Sequence, residues 1–170
     1  MSEAKRKNFI MWLLYAAFIL VVWLLQETLF ARLPIAGVAL YPLPMAVACV
    51  AMLCGAESGG LFALCVGLFL SFTGQSYPGA MLLALCISGI LCGRLCEVLL
   101  TRSLYSSLIV GLLAQILCLL LCMLMSFYFE GGSLNLLRLT LRQILLTLPL
   151  CPLLYLVSRQ IRKAGAVWTE

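Results

Sequence analysis

Few residues in this chain could do chemistry. Its 170 residues include nine cysteines and six acidic residues but no histidine. A nucleophile paired with a histidine base is therefore excluded, and no glycine-rich phosphate loop is present. The cysteine spacings match no zinc pattern. These residue types argue against an enzyme, and we expect neither a metal nor another cofactor.

All nine cysteines fall within or beside apolar stretches. Thiols in such surroundings behave as small hydrophobic side chains. Two pairs are spaced four residues apart, so each pair shares one helix face: Cys92 with Cys96, and Cys118 with Cys122. We expect these thiols to pack between helices and not to form a disulfide framework.

Polar side chains are rare inside the apolar segments. Gln26 and Gln115 lie in or near such segments, where a buried amide needs a hydrogen-bond partner and so joins helices. No acidic or basic residue falls well inside a segment, although a proton-coupled or ion-coupled transporter usually needs one. Two pairs of opposite charge are expected near the lipid headgroups: Glu27 with Arg32, and Arg94 with Glu97.

The segments that carry these residues are those of a membrane protein. Hydrophobic residues make up 65% of the chain and charged residues 10%, and residues 33–56, 58–93 and 103–129 carry no charge. A soluble domain needs a polar surface, which none of these segments supplies. The composition therefore predicts an all-α, polytopic integral membrane protein. Nucleic acid is not an expected partner, because the basic residues lie at segment ends and form no stripe.

The apolar segments predict six transmembrane helices in one membrane domain. Their approximate ranges are 9–30, 42–55, 59–72, 80–99, 104–129 and 143–158. The second and third are short for complete crossings, and one of them could be re-entrant. Residues 134–142 carry Arg138 and Arg142 on one helix face and predict an interfacial helix. Pro149 and Pro152 are expected to kink the last span.

The distribution of basic residues predicts the orientation. Six crossings place both termini on one side of the membrane, and cytoplasmic loops carry an excess of Lys and Arg. Three basic residues fall on the outer side in this arrangement: Arg32, Arg138 and Arg142. Eight fall on the side of the termini: Lys5, Arg6, Lys7, Arg94, Arg102, Arg159, Arg162 and Lys163. Both termini are therefore expected in the cytoplasm.

Small residues recur at the spacing of helix-packing motifs. Small residues four apart let two helix backbones approach closely in a membrane. The spacing fits contacts within the chain and contacts with a partner equally well. The candidate helix-packing or partner-interface residues are Gly55, Gly59, Gly60, Ala63, Gly67, Gly89 and Gly93.

Several motifs resemble the rod shape-determining MreD family of bacterial membrane proteins. A Leu-Gln pair at residues 25–26 ends the first span, a Leu-Pro-x-x-Gly loop follows at residues 33–37, and Pro42 opens the second span. A Glu-x-x-Gly motif occupies residues 57–60. Further glycines of the third and fourth spans fit the family: Gly67, Gly79, Gly89 and Gly93. Two positions depart from it, because the family commonly carries aspartate where this chain has Leu43 and Ser71.

The resemblance implies a role that is not enzymatic. MreD-like proteins work with an MreC-like protein, an actin-like filament, a RodA-type glycosyltransferase and a penicillin-binding transpeptidase in lateral peptidoglycan synthesis. The resemblance thus implies a scaffold of the cell-elongation machinery in the bacterial inner membrane. The expected contact surfaces are the glycine faces of the third and fourth spans and residues near the outer loops: Gln26, Glu27, Arg32, Pro34, Gly37, Gln75 and Tyr77.

The same resemblance implies a second interpretation. The MreD family is thought to look like the substrate-binding subunits of energy-coupling-factor vitamin transporters, which are six-helix proteins of similar size. Such a subunit would need a polar pocket open to the outside. The candidates for that pocket are Gln26, Ser71, Gln75 and Tyr77.

Overall fold

The computed structural model describes residues 3–30, 32, 38, 40–73, 78–99, 103–130 and 134–167, with side chains between 9 and 163 except at 78 and 130–137. This part of the chain is helical, so the prediction of an all-α protein is confirmed. The helices are α1 (Glu3–Leu25, continued by a π-helical turn Gln26–Phe30), α2 (Leu43–Cys54), α3 (Ala56–Phe72), α4 (Pro78–Val98), α5 (Leu104–Glu130), α6 (Leu134–Thr147) and α7 (Leu150–Val167).

Proline and glycine set several of the helix boundaries. Pro44 and Pro78 stand in the first turns of α2 and α4, where the N–H that proline lacks has no intrahelical acceptor. Gly55 separates α2 from α3 with a φ of +94°, a backbone conformation that glycine adopts without steric cost. Its N–H donates to the Ala51 carbonyl at 2.9 Å and ends α2.

The predicted last span, 143–158, is divided between two helices. The break lies at Leu148 and Pro149, because a proline ring clashes with the preceding helical turn and supplies no N–H. The Leu148 N–H still donates to the Ile144 carbonyl at 3.0 Å, so α6 ends in a regular turn. Pro152 lies in the first turn of α7, where proline is tolerated. With α6 and α7 taken as one unit interrupted at Pro149, the described residues form six helical units.

The first five helices alternate in direction. Trp12 contacts Phe62 and Trp23 contacts Phe69, with ring centroids 5.5 and 5.3 Å apart, so α1 and α3 run parallel. Other contacts give antiparallel neighbours: Gly93 with Ala56 and Gly67 with Leu82 for α3 and α4, and Cys92 with Val110 and Ser88 with Cys118 for α4 and α5.

Helix α7 runs antiparallel to α1. The Tyr15 hydroxyl of α1 donates to the Ser158 carbonyl at 3.5 Å and also hydrogen-bonds Cys54 at the end of α2. Cys49, earlier in α2, contacts Cys151, so α2 and α7 run parallel. The start of α1 and the end of α7 therefore lie together with Gly55 at one end of the bundle, which we name the Gly55 end. The opposite end, with Gln26 and Tyr41, is the Tyr41 end.

Helix α2 occupies the centre of the bundle. Residues 43–53 are all buried, and the helix packs against α1, α3, α4, α5 and α7. Its twelve residues rise about 18 Å, against about 30 Å for the hydrocarbon core of a bilayer. Helix α2 therefore does not cross a bilayer as a helix on its own, and Leu40–Pro42 enter the bundle as non-helical chain. Such backbone is tolerated at membrane depth when protein surrounds it.

The outer helices present apolar side chains outward. Four segments are long and apolar enough to cross a membrane: Phe9–Phe30, Gly79–Val98, Leu104–Phe129 and Arg138–Lys163. Large hydrophobic side chains stand exposed along them, such as Phe9, Leu83, Ile109 and Leu153. Only lipid solvates such a surface favourably. The prediction of a membrane protein with several spanning helices is confirmed for these four segments.

Candidate functional site

The glycines singled out in the sequence line the contact between α3 and its neighbours. A Cβ atom at Gly93 would lie 2.5 Å from the Ala56 Cα, and one at Gly89 would lie 2.6 Å from the Ala63 Cβ. Gly59 faces α2 instead, where its Cβ would lie 2.6 Å from a backbone carbon of Ala51. We call this set the glycine seam: Gly59, Gly60, Ala63, Gly67, Gly89 and Gly93.

The glycine seam is occupied within the chain. Gly60 faces Ile90 and Gly67 faces Leu82, in addition to the pairs above. Missing side chains let the backbones of α3 and α4 approach to van der Waals distance, which supplies the dispersion contacts that hold helices together in lipid. A partner could reach these faces only by separating α3 from α4. The contact surface expected there for a partner is therefore taken up by the protein's own helices.

A carboxylate of α4 caps the start of α3. The Ala56 N–H donates to the Glu97 Oε1 at 2.9 Å, and Arg94 Nη1 lies 3.5 Å from Glu97 Oε2. A helix begins with N–H groups that lack intrahelical acceptors, and its N-terminus favours a negative charge. The residue before α3 is Gly55, which has no side chain to supply the cap. The bond thus ties the turn between α2 and α3 to the end of α4.

The sequence predicts only an ion pair near the headgroups for Arg94 and Glu97. The Arg94–Glu97 ion pair is present, but the bond from Ala56 to Glu97 joins residues 41 positions apart. The one sequence signal for it is that α3 starts after a glycine with no capping side chain of its own. Glu57, in the same turn, is exposed.

Glu97→Ala is expected to lower the free energy of unfolding by about 1–2 kcal/mol, the usual effect of losing a helix cap. Glu57→Ala is the matched control, since it removes a carboxylate from the same turn that is exposed, and should change stability by less than about 0.5 kcal/mol. The measurement is reversible unfolding of the purified chain in mixed detergent micelles, followed by circular dichroism. Equal effects of the two substitutions would contradict the capping role.

The Tyr41 end contains a group of buried polar side chains. Gln26 is 5% exposed, and its amide hydrogen-bonds the Tyr41 phenol, whose hydroxyl donates to the Met81 Sδ at 3.7 Å. Tyr41 lies in the non-helical chain just before α2. Its phenol ties the π-helical turn of α1 to the chain that enters α2.

Gln115 is the exceptional member of this group. It is fully buried on α5, and neither its Oε1 nor its Nε2 has a hydrogen-bond partner in the part of the chain that the structure describes. One turn before it, Gly111 faces Met45, and one turn after it, Cys118 lies near Tyr41. The amide therefore faces the start of α2. Gln115 is buried, as the sequence predicts, but the hydrogen bond to another helix that was expected of its amide is absent among the described residues.

The outer-loop candidates divide into two sets. Glu27 and Arg32 are exposed at the Tyr41 end and do not form the expected ion pair; Arg94–Glu97 is the one ion pair in the described ranges. The remaining candidates lie outside the described residues: Pro34, Gly37, Gln75 and Tyr77. Two of the four residues proposed from sequence for a transporter pocket are described. Gln26 is buried against Tyr41, and the Ser71 hydroxyl donates to the Gly67 carbonyl of its own helix at 2.9 Å.

A groove separates the middle of α1 from the middle of α3. The aromatic contacts of Trp12 and Trp23 hold the two helices apart at either side of it, and its volume is about 230 Å³. Hydrocarbon side chains and one thiol line it: Ala16, Ile19, Leu20, Phe62, Cys65, Val66 and Phe69. It is open to the surroundings of the bundle and has the chemistry of an acyl-chain site, not of a polar-substrate site.

The thiols are mostly packed among helices. Cys151 Sγ donates to the Ser107 carbonyl at 3.1 Å, and Cys92 Sγ donates to the Val110 carbonyl at 3.6 Å. No group of three or more Cys, Asp or Glu side chains that could hold a metal ion comes together within the described residues. None of the nine cysteines, all of which lie among the described residues, forms a disulfide, and Cys65 is exposed.

Comparisons with protein-family models, curated proteins and solved structures give no match to this chain. The geometry described above and the sequence motifs are therefore the basis for the function proposed below.

Proposed function

We propose that the chain is a membrane scaffold of the bacterial cell-elongation machinery. In this role it holds its partners in the bilayer, helps direct peptidoglycan synthesis and maintains rod shape, and makes no covalent bonds itself. The partners are an MreC-like protein, a RodA-type glycosyltransferase and a penicillin-binding transpeptidase. The support is the MreD-like motif set together with a bundle that has almost no mass outside its helices.

The surface of α1 is the observation that carries the proposal. Helix α1 contacts α2 and α7 and reaches α3 through aromatic pairs, and the rest of its length faces outward. Its exposed side chains are large and apolar: Phe9, Leu13, Leu20, Val21 and Leu24. Together with the apolar groove beside α3, this face suits transmembrane helices of partners, which associate by close packing. The glycine seam, closed inside the bundle, keeps the scaffold rigid.

We also propose six membrane passages with both termini in the cytoplasm. Alternating helix directions and the closeness of α1's start to α7's end support an even number of passages. The basic residues support the orientation, since eight of the eleven fall on the side of the termini in the sequence pattern. In this arrangement α2 and α3 each make one passage. Helix α2 does so together with the non-helical chain before it, which the other helices enclose.

Deletion of the gene from a rod-shaped host is expected to produce rounded cells, because the elongation machinery would lose its membrane organiser. Re-expression of the wild-type chain or of Gly79→Ala should restore rods, since Gly79 has no atom within 4 Å of its would-be Cβ. Cell length and width under the microscope are the measurement. Unchanged cell dimensions after deletion would refute the proposed function.

A vitamin-binding transporter subunit is the rival proposal. The buried amides of Gln26 and Gln115 at the Tyr41 end favour it, because polar groups inside a membrane bundle often mark ligand sites. Purification from membranes in mild detergent distinguishes the two. An MreC-like protein recovered with the chain supports the scaffold, whereas a stoichiometric vitamin without that protein supports the transporter subunit.

A further inference from the structure

We propose that the start of α6 lies at headgroup depth, where Arg138 and Arg142 bind the phosphates of anionic phospholipids. The inference concerns a surface at the Tyr41 end that neither the scaffold role nor the rival proposal uses, and it holds under either of them.

The two arginines form a free pair of cations. They are four residues apart on α6, so their Cβ atoms lie about 5–6 Å from each other on one face. Both are exposed, and neither takes part in an ion pair with a described side chain. An arginine guanidinium presents a planar fork of donors that matches two phosphate oxygens. Two such forks side by side suit a phosphodiester layer.

Apolar side chains accompany the cations on the same helix. Leu139, Leu141 and Leu145 are all exposed, the last of them by 77%. At about 100° per residue, Leu141 and Leu145 fall on the same exposed face as the two arginines, with Leu139 beside it. The leucines and the arginine stems of this face suit acyl chains, and the guanidinium groups extend from it to the headgroup layer. The helix just before it ends in three exposed aromatic residues, Phe127, Tyr128 and Phe129. Tyrosine is one of the two side chains that concentrate at the membrane–water interface, and Tyr128 is 83% exposed.

Helix α6 lies at the edge of the bundle. It packs against α5 and buries Thr147, whereas α7, beyond the break at Pro149, places Cys151, Leu154 and Tyr155 in the core. The face of α6 that carries Arg138 and Arg142 is exposed, and the negative charge of phospholipid headgroups complements the arginine pair.

The arginine pair also stands out in the charge distribution. Among the basic residues that the structure describes, Arg32 and this pair are those toward the Tyr41 end. Basic residues on the outer side oppose the orientation rule. Binding of lipid headgroups on the outer side would explain why Arg138 and Arg142 stand together on one helix face.

The test measures binding of a phosphatidylglycerol with a fluorescent acyl chain to the full-length chain in neutral detergent micelles, by fluorescence anisotropy. Arg138→Gln with Arg142→Gln is expected to weaken binding about twenty-five-fold, since each basic residue near an anionic membrane surface contributes about fivefold. Arg138→Lys with Arg142→Lys should retain part of the affinity, because lysine keeps the charge and loses the fork. Because both side chains are exposed, the circular dichroism spectrum should not change.

The matched control is Arg159→Gln with Lys163→Gln, which removes the same charge at the same spacing from exposed positions of α7 at the Gly55 end. It should weaken binding less than fivefold. An equal loss in the control, or binding by the α6 variant within threefold of wild type, would overturn the proposal. A phosphatidylcholine with the same label should bind all variants alike. Competition by inorganic phosphate as strong as that by phosphatidylglycerol would indicate a free-phosphate site and also overturn it.

Discussion

Gly93→Ala is expected to lower the free energy of unfolding by about 3 kcal/mol, the upper part of the range for overpacking a closely packed contact. The added methyl group would lie 2.5 Å from the Ala56 Cα and 2.7 Å from its backbone nitrogen. Both are backbone atoms at the start of α3, so no side-chain rotation relieves the clash. Helices α3 and α4 would have to move apart along the glycine seam, and the Ala56–Glu97 bond would lengthen.

Gly79→Ala on the same helix is the matched control for this prediction. No atom lies within 4 Å of its would-be Cβ, so the substitution should be neutral or raise stability by up to about 1 kcal/mol through helix propensity. Reversible unfolding in mixed micelles, followed by circular dichroism, measures both variants. If Gly93→Ala proved as stable as Gly79→Ala, the close approach of α3 and α4 would be wrong. In cells, Gly93→Ala should restore rod shape less well than Gly79→Ala does.

Gln115→Leu is expected to raise the free energy of unfolding by about 1–2 kcal/mol. A buried amide without hydrogen-bond partners carries a desolvation penalty of about 1–3 kcal/mol, and leucine of similar size removes it. Stabilisation by replacement of a fully buried core side chain is unusual, since most such substitutions destabilise. The sign of the change therefore tests whether the amide is unpartnered.

Thr147→Val is the control for Gln115→Leu. Thr147 is also fully buried, but its hydroxyl donates to the Gln143 carbonyl at 2.6 Å. Loss of a satisfied hydroxyl should lower stability by about 1 kcal/mol, opposite in sign to the effect at Gln115. A thermal or detergent titration of both variants gives the comparison. Destabilisation by Gln115→Leu would mean that the amide has a partner in the membrane, as a ligand site at the Tyr41 end requires.

Membrane residence and helix positions were predictable from the one-dimensional pattern. Long apolar runs without charge specify spanning helices because lipid is the only solvent that suits them. The expected ranges 80–99 and 104–129 agree within two residues with α4 and α5. The sequence predicts kinks of the last span at Pro149 and Pro152. The structure has a full break at Pro149, because the missing N–H acts locally, whereas Pro152 stands in the first turn of α7. The helix expected over residues 134–142 forms the first part of α6, which continues to Thr147 and so takes in the start of the range expected for the last span.

The arrangement of those helices was not predictable in the same way. Hydropathy did not distinguish α2, which is enclosed on all sides, from α1, which faces outward along much of its length. Lipid tails and a protein interior are equally apolar, so the side chains suited to one are suited to the other. The neighbours of each glycine, the cap of Ala56 by Glu97 and the isolation of Gln115 depend on residues distant in sequence. Only the packing of the helices brings such residues into contact. The same packing leaves the buried Gln115 amide without a hydrogen-bond partner among the described residues.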